Sequence, residues 1–296
     1  MPLTFDTIDL DRQDAYRRRL AACPQIGSDY SFINLWGWAG AYGLEWAWED
    51  ALVWIRRTRP EPCWWAPVGD WQAVDWVRRL ESLKTDLHLE RIPETLASLW
   101  HEVLGDRIQR RQTRGQWDYL YAVQDLITLG GNRYHKKKNL LNQFRRTYPY
   151  TYEPLNAQHV AEALGLQADW CTWRDCEAVD LLAAENRVIL RILNHWNRLA
   201  GICGGVLRVD NHMAAYTVGE RLTPDTLLIH FEKADPRFKG AYQMINQAFL
   251  EASADGLQWV NREQDLDDEG LRQAKLSYHP ADFVRKEAVV IRPAAP

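Results

Sequence analysis

The chain has 296 residues, of which 46% are apolar and 26% are charged. This composition excludes global disorder and allows one large domain or two of ordinary size. The formal net charge of −4 gives no overall attraction to nucleic acid or to an anionic membrane, so any such contact requires a local basic patch.

The N-terminal sequence and the cysteines indicate a soluble, cytoplasmic protein. The first 20 residues carry early acidic side chains and no apolar core, unlike a signal peptide, and no apolar run approaches the roughly 18–20 residues that a membrane span needs. The five cysteines include no C-x-x-C pair and their number is odd, which favours reduced thiols over a disulfide framework. Cys171 and Cys176 lack a His or Cys neighbour at zinc-site spacing, so no metal site is predicted.

Hydrophobic periodicity predicts a mixed series of helices and strands in the first half. Helices are predicted at residues 7–22, 71–83 and 93–104, with a short helix within 28–42. Strands are predicted at residues 44–48 and 51–57, as a hairpin around Glu49-Asp50, and at 63–68, 86–91 and 117–123. The order is therefore hairpin, strand, helix, strand, helix, strand.

The second half is predicted to repeat that order of elements, although the residues themselves do not visibly repeat. Helices are predicted at residues 157–170, 176–199, 240–254 and 268–277. Strands are predicted at residues 201–209, 212–219, 227–231, 257–261 and 283–291. We therefore expect two domains, residues 1–150 and 151–296, with a basic junction helix ending the first and the functional site in the second.

The stretch from Leu227 to Leu250 combines an apolar strand, a turn and a helix. A strand that feeds a helix through a loop presents free backbone N–H groups and the positive end of the helix dipole, which suits an anionic ligand. Gly240 would let the backbone come close to such a ligand, and Arg237 would add a charge-assisted bond. The structural alternative is an ordinary strand–helix connection.

This element order resembles the GNAT N-acyltransferase fold. The resemblance implies an α/β (α+β) class, with tandem GNAT-like domains that each contain a mixed twisted sheet flanked by helices. GNAT enzymes grip the pyrophosphate of acyl-CoA with Gln or Arg, two residues, Gly, one residue, then Gly or Ala. Arg237 and Gly240 match this pattern, whereas Tyr242 occupies the last small position, where its bulk would crowd a pyrophosphate.

Three stretches make the resemblance narrower: GNRYHKKKNLLNQF at 131–144, HFEKADPRFKGAY at 230–242 and NREQDLDDEGLRQAKLSYHP at 261–280. Together they resemble the phosphatidylglycerol lysyltransferase C-terminal domain family in a soluble, stand-alone form, related to the Fem-type aminoacyltransferases. The resemblance implies transfer of an aminoacyl group from aminoacyl-tRNA. It leaves open whether the acceptor is a small molecule, a peptide or a lipid, and it does not give the oligomeric state.

Two other functions remain compatible with the sequence. One is an ordinary N-acyltransferase with acyl-CoA as the donor, against which Tyr242 argues. The other is a non-catalytic GNAT-like pair that binds RNA or regulates another process.

Residues 131–148 interleave cations with apolar side chains. On a helix the apolar set packs inward and the cations form one exposed band, which is able to track a phosphate backbone and is also typical of a solvated linker helix. The candidate tRNA contacts are Arg133, Lys136, Lys137, Lys138 and Arg145.

Two glutamates are the candidate catalytic residues. Glu232 closes the apolar strand beside the loop, where partial burial would raise its pKa towards a useful range. We expect Glu232 or Glu263 to accept a proton from the attacking acceptor, with a structural ion-pair network as the alternative. His230 is expected to be a packed core histidine.

The candidate substrate-binding residues follow the two strands that end near these glutamates. They are Lys233, Arg237, Gly240, Tyr242, Asn261, Arg262, Asp265, Lys275 and Tyr278. Lys233, Arg237 and Lys275 are expected to hold phosphate or the developing oxyanion.

Overall fold

The computed structural model describes residues 3–49 and 51–294 and divides the chain into two compact units. The first unit takes in the chain up to Asp118, then Gln264–Arg272 and the stretch from Phe283 onwards. The second unit consists of Tyr119–Glu263 and Gln273–Asp282. Each unit is therefore assembled from both halves of the sequence, and this division differs from the expected boundary near residue 150.

Helices and strands alternate along most of the chain. The helices are α1 (Gln13–Leu20), α2 (Phe32–Tyr42), α3 (Trp76–Arg79), α4 (Glu94–Leu104), α5 (Val123–Thr128), α6 (His135–Thr147), α7 (Val160–Arg174), α8 (Asp180–Asn194), α9 (Ala241–Ser253) and α10 (Glu269–Leu276). The strands are β1 (Asp6–Thr7), β2 (Leu44–Trp48), β3 (Leu52–Arg57), β4 (Cys63–Trp64), β5 (Val68–Gly69), β6 (Leu87–Pro93), β7 (Ile108–Gln112), β8 (Asp118–Ala122), β9 (Tyr150–Pro154), β10 (Ile202–Val209), β11 (His212–Thr223), β12 (Thr226–Ala234), β13 (Trp259–Asn261), β14 (Asp282–Val284) and β15 (Lys286–Ile291).

The sheet of the first unit has the strand order β1-β2-β3-β4-β6-β15-β7, with β5 beside β3. It is mixed, because β4 runs parallel to β6 while the other neighbours are antiparallel. The expected hairpin is confirmed, since β2 and β3 pair from Trp48 opposite Val53; Asp50 of its predicted turn lies outside the described residues. Much of the tryptophan-rich first third is core: Trp46, Trp54, Trp65, Trp71, Trp76 and Trp100 are buried.

The C-terminal strand β15 belongs to the first unit, where the expected division of the chain had assigned it to the second. Its first residue, Lys286, has a fully buried ammonium group that contacts Asp29 and lies 2.6 Å from Oδ1 of Asp118. The Ser28 hydroxyl donates a 2.8 Å hydrogen bond to the same Asp118 oxygen. A lysine is buried at acceptable cost only when it is paired in this way, so the network ties β15 into its sheet.

The second unit contains the strand order β8-β13-β12-β11-β10-β9. Only β12 and β13 are parallel, so this sheet is mixed as well. Helices α7 and α9 both pack on the sheet, and α9 also packs against α5 and α6. Two mixed sheets flanked by helices confirm the expected fold class.

The basic segment expected at the domain junction lies inside the second unit, as helix α6. Leu141 and Phe144 of α6 are buried in one apolar cluster with Met244 and Ile245 of α9. Burial of a helix face of this kind contributes several kcal/mol, at roughly 25 cal/mol per Å² of apolar surface. Packing of the apolar side chains of α6 against α9 therefore places the basic segment in the second unit.

Cys171 and Cys176 form a disulfide, which corrects the expectation that the cysteines are reduced. Helix α7 ends just after Cys171, and Asp175 adopts a left-handed conformation with φ of 49°. The chain turns back there, so that the two cysteine Cα atoms lie 4.9 Å apart. The spacing of the cysteines does not reveal this turn.

Candidate active site

The candidate site lies where the parallel strands β12 and β13 stop pairing. Their pairing runs from Thr226 opposite Trp259 to Leu228 opposite Asn261, and β12 then continues to Ala234 without β13. In α/β sheets, ligands commonly bind at the carboxyl ends of strands where neighbours diverge.

Glu232 of β12 and Arg262, which directly follows β13, form an ion pair at this point. Nη2 of Arg262 contacts Oε2 of Glu232, and the side-chain amide of Asn246 on α9 donates a 2.9 Å hydrogen bond to Oε1. The Glu232 side chain is only 7% exposed. The ion-pair network that the sequence left as an alternative is therefore present, and a proton-transfer role for Glu232 stays a prediction.

Two tyrosine rings lie against the Arg262 guanidinium group. Its central carbon is 4.9 Å from the ring centroid of Tyr278 and 5.9 Å from that of Tyr121. Burial alone would lower the pKa of Arg262, but the Glu232 carboxylate, together with Tyr278 and Tyr121, raises that pKa overall. Burial raises the pKa of Tyr278, whose hydroxyl accepts a 3.3 Å hydrogen bond from Nε2 of Gln243.

Lys137 of α6 reaches the same tyrosine. Its ammonium nitrogen lies 4.2 Å from the centroid of the Tyr278 ring, and its side chain is half-buried. Burial lowers the pKa of Lys137, and the nearby charge of Arg262 lowers it further. The structure thus joins two predicted site residues that are far apart in the sequence.

Lys275 contacts the segment that follows β13. Its ammonium group donates a hydrogen bond to the carbonyl oxygen of Arg262, and its own carbonyl oxygen accepts a 2.9 Å hydrogen bond from the Tyr121 hydroxyl. Lys275 therefore holds Arg262 in position.

His230 lies between two carboxylates. Its Nδ1 is 3.2 Å from Oε1 of Glu263, and its Nε2 is 3.2 Å from Oε1 of Glu220 on β11, although the second contact lacks good hydrogen-bond angles. Burial alone would lower the pKa of His230, but Glu220 and then Glu263 raise it to about 9. The expected core histidine is therefore buried but positively charged at neutral pH.

Both His230 and Glu263 occupy irregular backbone. His230 is the extra residue of a β-bulge, since Val218 pairs with Phe231 while the next residue of β11 pairs with Ile229. Glu263 has φ of 56°, and its N–H donates a 2.8 Å hydrogen bond to the side chain of Asn261. Bulges and left-handed non-glycine residues concentrate near functional sites.

Lys233 and Tyr242 belong to a different cluster, beside helices α7 and α8. The Lys233 ammonium lies 2.7 Å from Oε2 of Glu185 and 3.7 Å from the centroid of the Trp170 ring. Trp170 donates a 2.9 Å hydrogen bond to the hydroxyl of Tyr242. Burial lowers the pKa of Lys233.

In the loop that resembles a pyrophosphate-binding loop, Arg237 and Gly240 both contact other residues of the protein. Nε of Arg237 donates hydrogen bonds of 3.0 and 2.8 Å to the carboxylate of Asp235, although the arginine side chain is 72% exposed. Gly240 has φ of +93°, and a Cβ atom there would lie 2.5 Å from the carbonyl oxygen of Leu140. The space that Gly240 leaves is thus filled by helix α6.

Asp265 belongs to the first unit. It is fully buried, and Arg272 donates hydrogen bonds of 2.9 Å to each of its oxygens. Nη1 of Arg114 lies 3.3 Å from Oδ2 of Asp265. These contacts give Asp265 a structural part in its loop.

The remaining basic candidates are mostly exposed. Arg133 pairs with Asp125 at 2.8 Å, and Arg145 donates a 2.8 Å hydrogen bond to the side chain of Gln247. Lys136 and Lys138 are exposed on α6 and have no ion pair within the described part of the chain.

Four residues of the site were missed from the sequence: Tyr121, Glu220, Gln243 and Asn246. Asn246 carried a signal, because it and Gln247 are polar residues within a largely apolar stretch of α9. Tyr121 gave none, since its strand β8 is remote in sequence and joins the sheet beside β13.

Two mixed sheets flanked by helices, with the parallel strands β12 and β13 separating in the second, define a mixed α/β fold. The chain belongs to the family described as phosphatidylglycerol lysyltransferase, C-terminal, whose model matches residues 20–287. This match confirms the resemblance seen in the sequence.

Known structures share this fold. A conserved protein of unknown function from Bacteroides thetaiotaomicron is 29% identical, with a TM-score of 0.89 over 98% of this chain and 100% of that one. L-PGS from Bacillus licheniformis is 10% identical, with a TM-score of 0.63 over 98% of this chain and 94% of that one, which shows a shared fold.

A curated relative covers a shorter region. An uncharacterized protein from Mycoplasmoides gallisepticum is 23% identical over 190 residues, which are 59% of this chain and 56% of that protein. This chain therefore matches little more than half the length of that relative. Within residues 3–49 and 51–294, no helix has the length and apolar character needed to span a bilayer.

Proposed function

We propose that the second unit transfers an acyl group, and that the donor is an aminoacyl-tRNA. The observation that carries the proposal is the position of two carboxylates, Glu232 and Glu263, just beyond the last paired residues of parallel β12 and β13. Acyl transfer is the type of reaction expected of transferases of this fold class. The exposed cations of α6 favour an aminoacyl-tRNA as the donor.

The reaction needs one proton acceptor. A hydroxyl or amine of the acceptor attacks the ester carbonyl carbon, a new C–O or C–N bond forms, and the ester bond to the terminal ribose breaks. The acceptor proton passes to a carboxylate, and the leaving ribose oxygen takes up a proton. Glu263 is the better placed base, because its side chain is 20% exposed against 7% for Glu232. Glu263 pairs with His230, whereas Glu232 is held by both Arg262 and Asn246.

The exposed face of α6 favours a polynucleotide donor. Lys136, Lys138 and Arg146 are exposed there without ion partners in the part of the chain that the structure describes. The neighbouring Lys137 enters the site itself. Exposed cations on the helix that also supplies a site residue suit a phosphate backbone.

Acyl-CoA is disfavoured as the donor. Arg237 is engaged by Asp235, and Leu140 fills the space beside Gly240. Tyr242 stands where the pyrophosphate loop has a small residue. Each of these features weakens the binding of a pyrophosphate, which a CoA-binding loop requires.

A panel of charged tRNAs and acyl-CoAs, assayed for loss of the acyl group, tests the proposal. We expect turnover with a charged tRNA and a decrease of about 100-fold or more for Glu263→Gln. Glu251→Gln, at an exposed position of α9, is the matched control and should leave the rate unchanged. Turnover with acyl-CoA and with no charged tRNA would show that acyl-CoA is the donor. Salt-dependent tRNA binding without any turnover would favour a non-catalytic RNA-binding module.

A further inference from the structure

The ring of Tyr278 has two cations beside it and one carboxylate nearby. The Lys137 ammonium and the Arg262 guanidinium both lie within 5 Å of its centroid. Glu232 pairs with Arg262, and Lys137 has no ion partner within residues 3–49 and 51–294. The cluster therefore carries more positive than negative charge.

Such an excess is costly where solvent is partly excluded. Arg262 is mostly buried and Lys137 is half-buried, so neither charge is fully screened by water. Burial and the charge of Arg262 both lower the pKa of Lys137, which is the expected consequence of placing a second cation there. An anion bound beside these two cations would reduce this cost.

Helix α9 adds a third source of positive potential. Its N-cap residue is Gly240, so no N-cap side chain accepts a hydrogen bond from the N–H groups of the first turn. Gln243, in that first turn, donates its side-chain hydrogen bond to the Tyr278 hydroxyl at 3.3 Å, which places the positive end of the helix dipole beside the two cations.

We propose that Lys137 and Arg262, beside Tyr278 and the first turn of α9, form a binding subsite for one phosphate group of a substrate. This inference rests on the proposed function for its biological meaning. A phosphate of the terminal nucleotides of the donor and the phosphate of a lipid headgroup share the required chemistry.

Binding measurements on the full chain test the subsite without turnover. The probes are AMP and sn-glycerol 3-phosphate, titrated at low ionic strength by calorimetry. We expect saturable binding of at least one probe, weakened about tenfold or more by Lys137→Gln, because a charge-assisted contact is lost. Tighter binding of AMP assigns the phosphate to a nucleotide, and tighter binding of glycerol phosphate assigns it to a lipid headgroup.

Two variants serve as controls. Lys84→Gln removes the same charge at an exposed position in the first unit and should change binding less than twofold. Lys137→Arg keeps the charge and should restore most of the affinity. No saturable binding of either probe, or equal weakening by Lys84→Gln, would overturn the subsite.

A second readout separates this proposal from the proposed function. The pKa of Lys137, followed by NMR, should rise when the bound probe saturates the protein, because an anion favours the ammonium form. Phosphate binding without acyl transfer would refute the proposed function alone. Acyl transfer that is unaffected by Lys137→Gln, in a protein that binds neither probe, would refute the subsite alone.

Discussion

Nδ1 of His230 lies 3.2 Å from Oε1 of Glu263, which joins the extra residue of a β-bulge to a residue with left-handed backbone. The imidazolium also faces Glu220, and the two carboxylates together hold its charge against the cost of burial. This contact makes stability depend on pH.

The pKa of His230 is raised from 6.5 to about 9 in the folded protein. Its contribution to stability is therefore fully present below pH 6.5 and is lost as the pH rises through about 9. We expect the free energy of unfolding to fall across this window by up to about 3 kcal/mol more in the wild type than in His230→Gln. Denaturant titrations at pH 6 and pH 9.5 measure the difference, and parallel losses in the two proteins would contradict it.

Gly240 is required by packing against α6. We expect Gly240→Ala to destabilise the protein by about 1–3 kcal/mol, because the backbone is left-handed and a Cβ would meet the Leu140 carbonyl oxygen at 2.5 Å. Gly165→Ala is the control, since Gly165 lies in α7 with open space around it, and it should be neutral or stabilising. Equal midpoints of urea unfolding for Gly240→Ala and the wild type would show that the glycine serves another purpose.

Asp265 is expected to support folding. Asp265→Asn leaves Arg272 and Arg114 without their buried carboxylate, so we expect a loss of about 3 kcal/mol or more in unfolding free energy. Asp255→Asn, at an exposed loop position, should have no measurable effect. If Asp265→Asn instead keeps full stability and loses substrate binding, the substrate-binding role predicted from the sequence is correct.

The disulfide predicts a thiol count. Protein purified without reductant and then denatured should show three reactive thiols, from Cys23, Cys63 and Cys203, and five after reduction. Titration with a thiol reagent gives both numbers. Five reactive thiols before reduction would mean that Cys171 and Cys176 remain reduced, as the cysteine pattern in the sequence suggested.

Much of the local structure was predictable, because hydrophobic periodicity is a property of neighbouring residues. The hairpin of β2 and β3 and the β12–loop–α9 segment follow from such patterns, whereas the two mixed sheets were expected from the family resemblance. The position of β15 did not, because it depends on Lys286 meeting Asp29 and Asp118, which are more than 160 residues away.

The candidate site shows the same contrast between features predicted from motifs and features that only the structure reveals. Glu232, Arg262, Lys275 and Tyr278 were named from motifs and do gather at one place, whereas Asp265 came from the same motif and lies in the other unit. No local pattern predicts that Lys137 reaches Tyr278, or that His230 is charged. Contacts of this kind depend on which strands become neighbours in the sheet.

The sequence by itself determined the family, the α/β class and the residue types available for chemistry, because these depend on motifs and on the periodicity of apolar side chains. The tertiary structure decided how the chain divides, which candidates meet and which charges are balanced. The physical reason is that ion pairing and burial depend on distances between groups far apart in the chain, and local sequence patterns do not determine those distances.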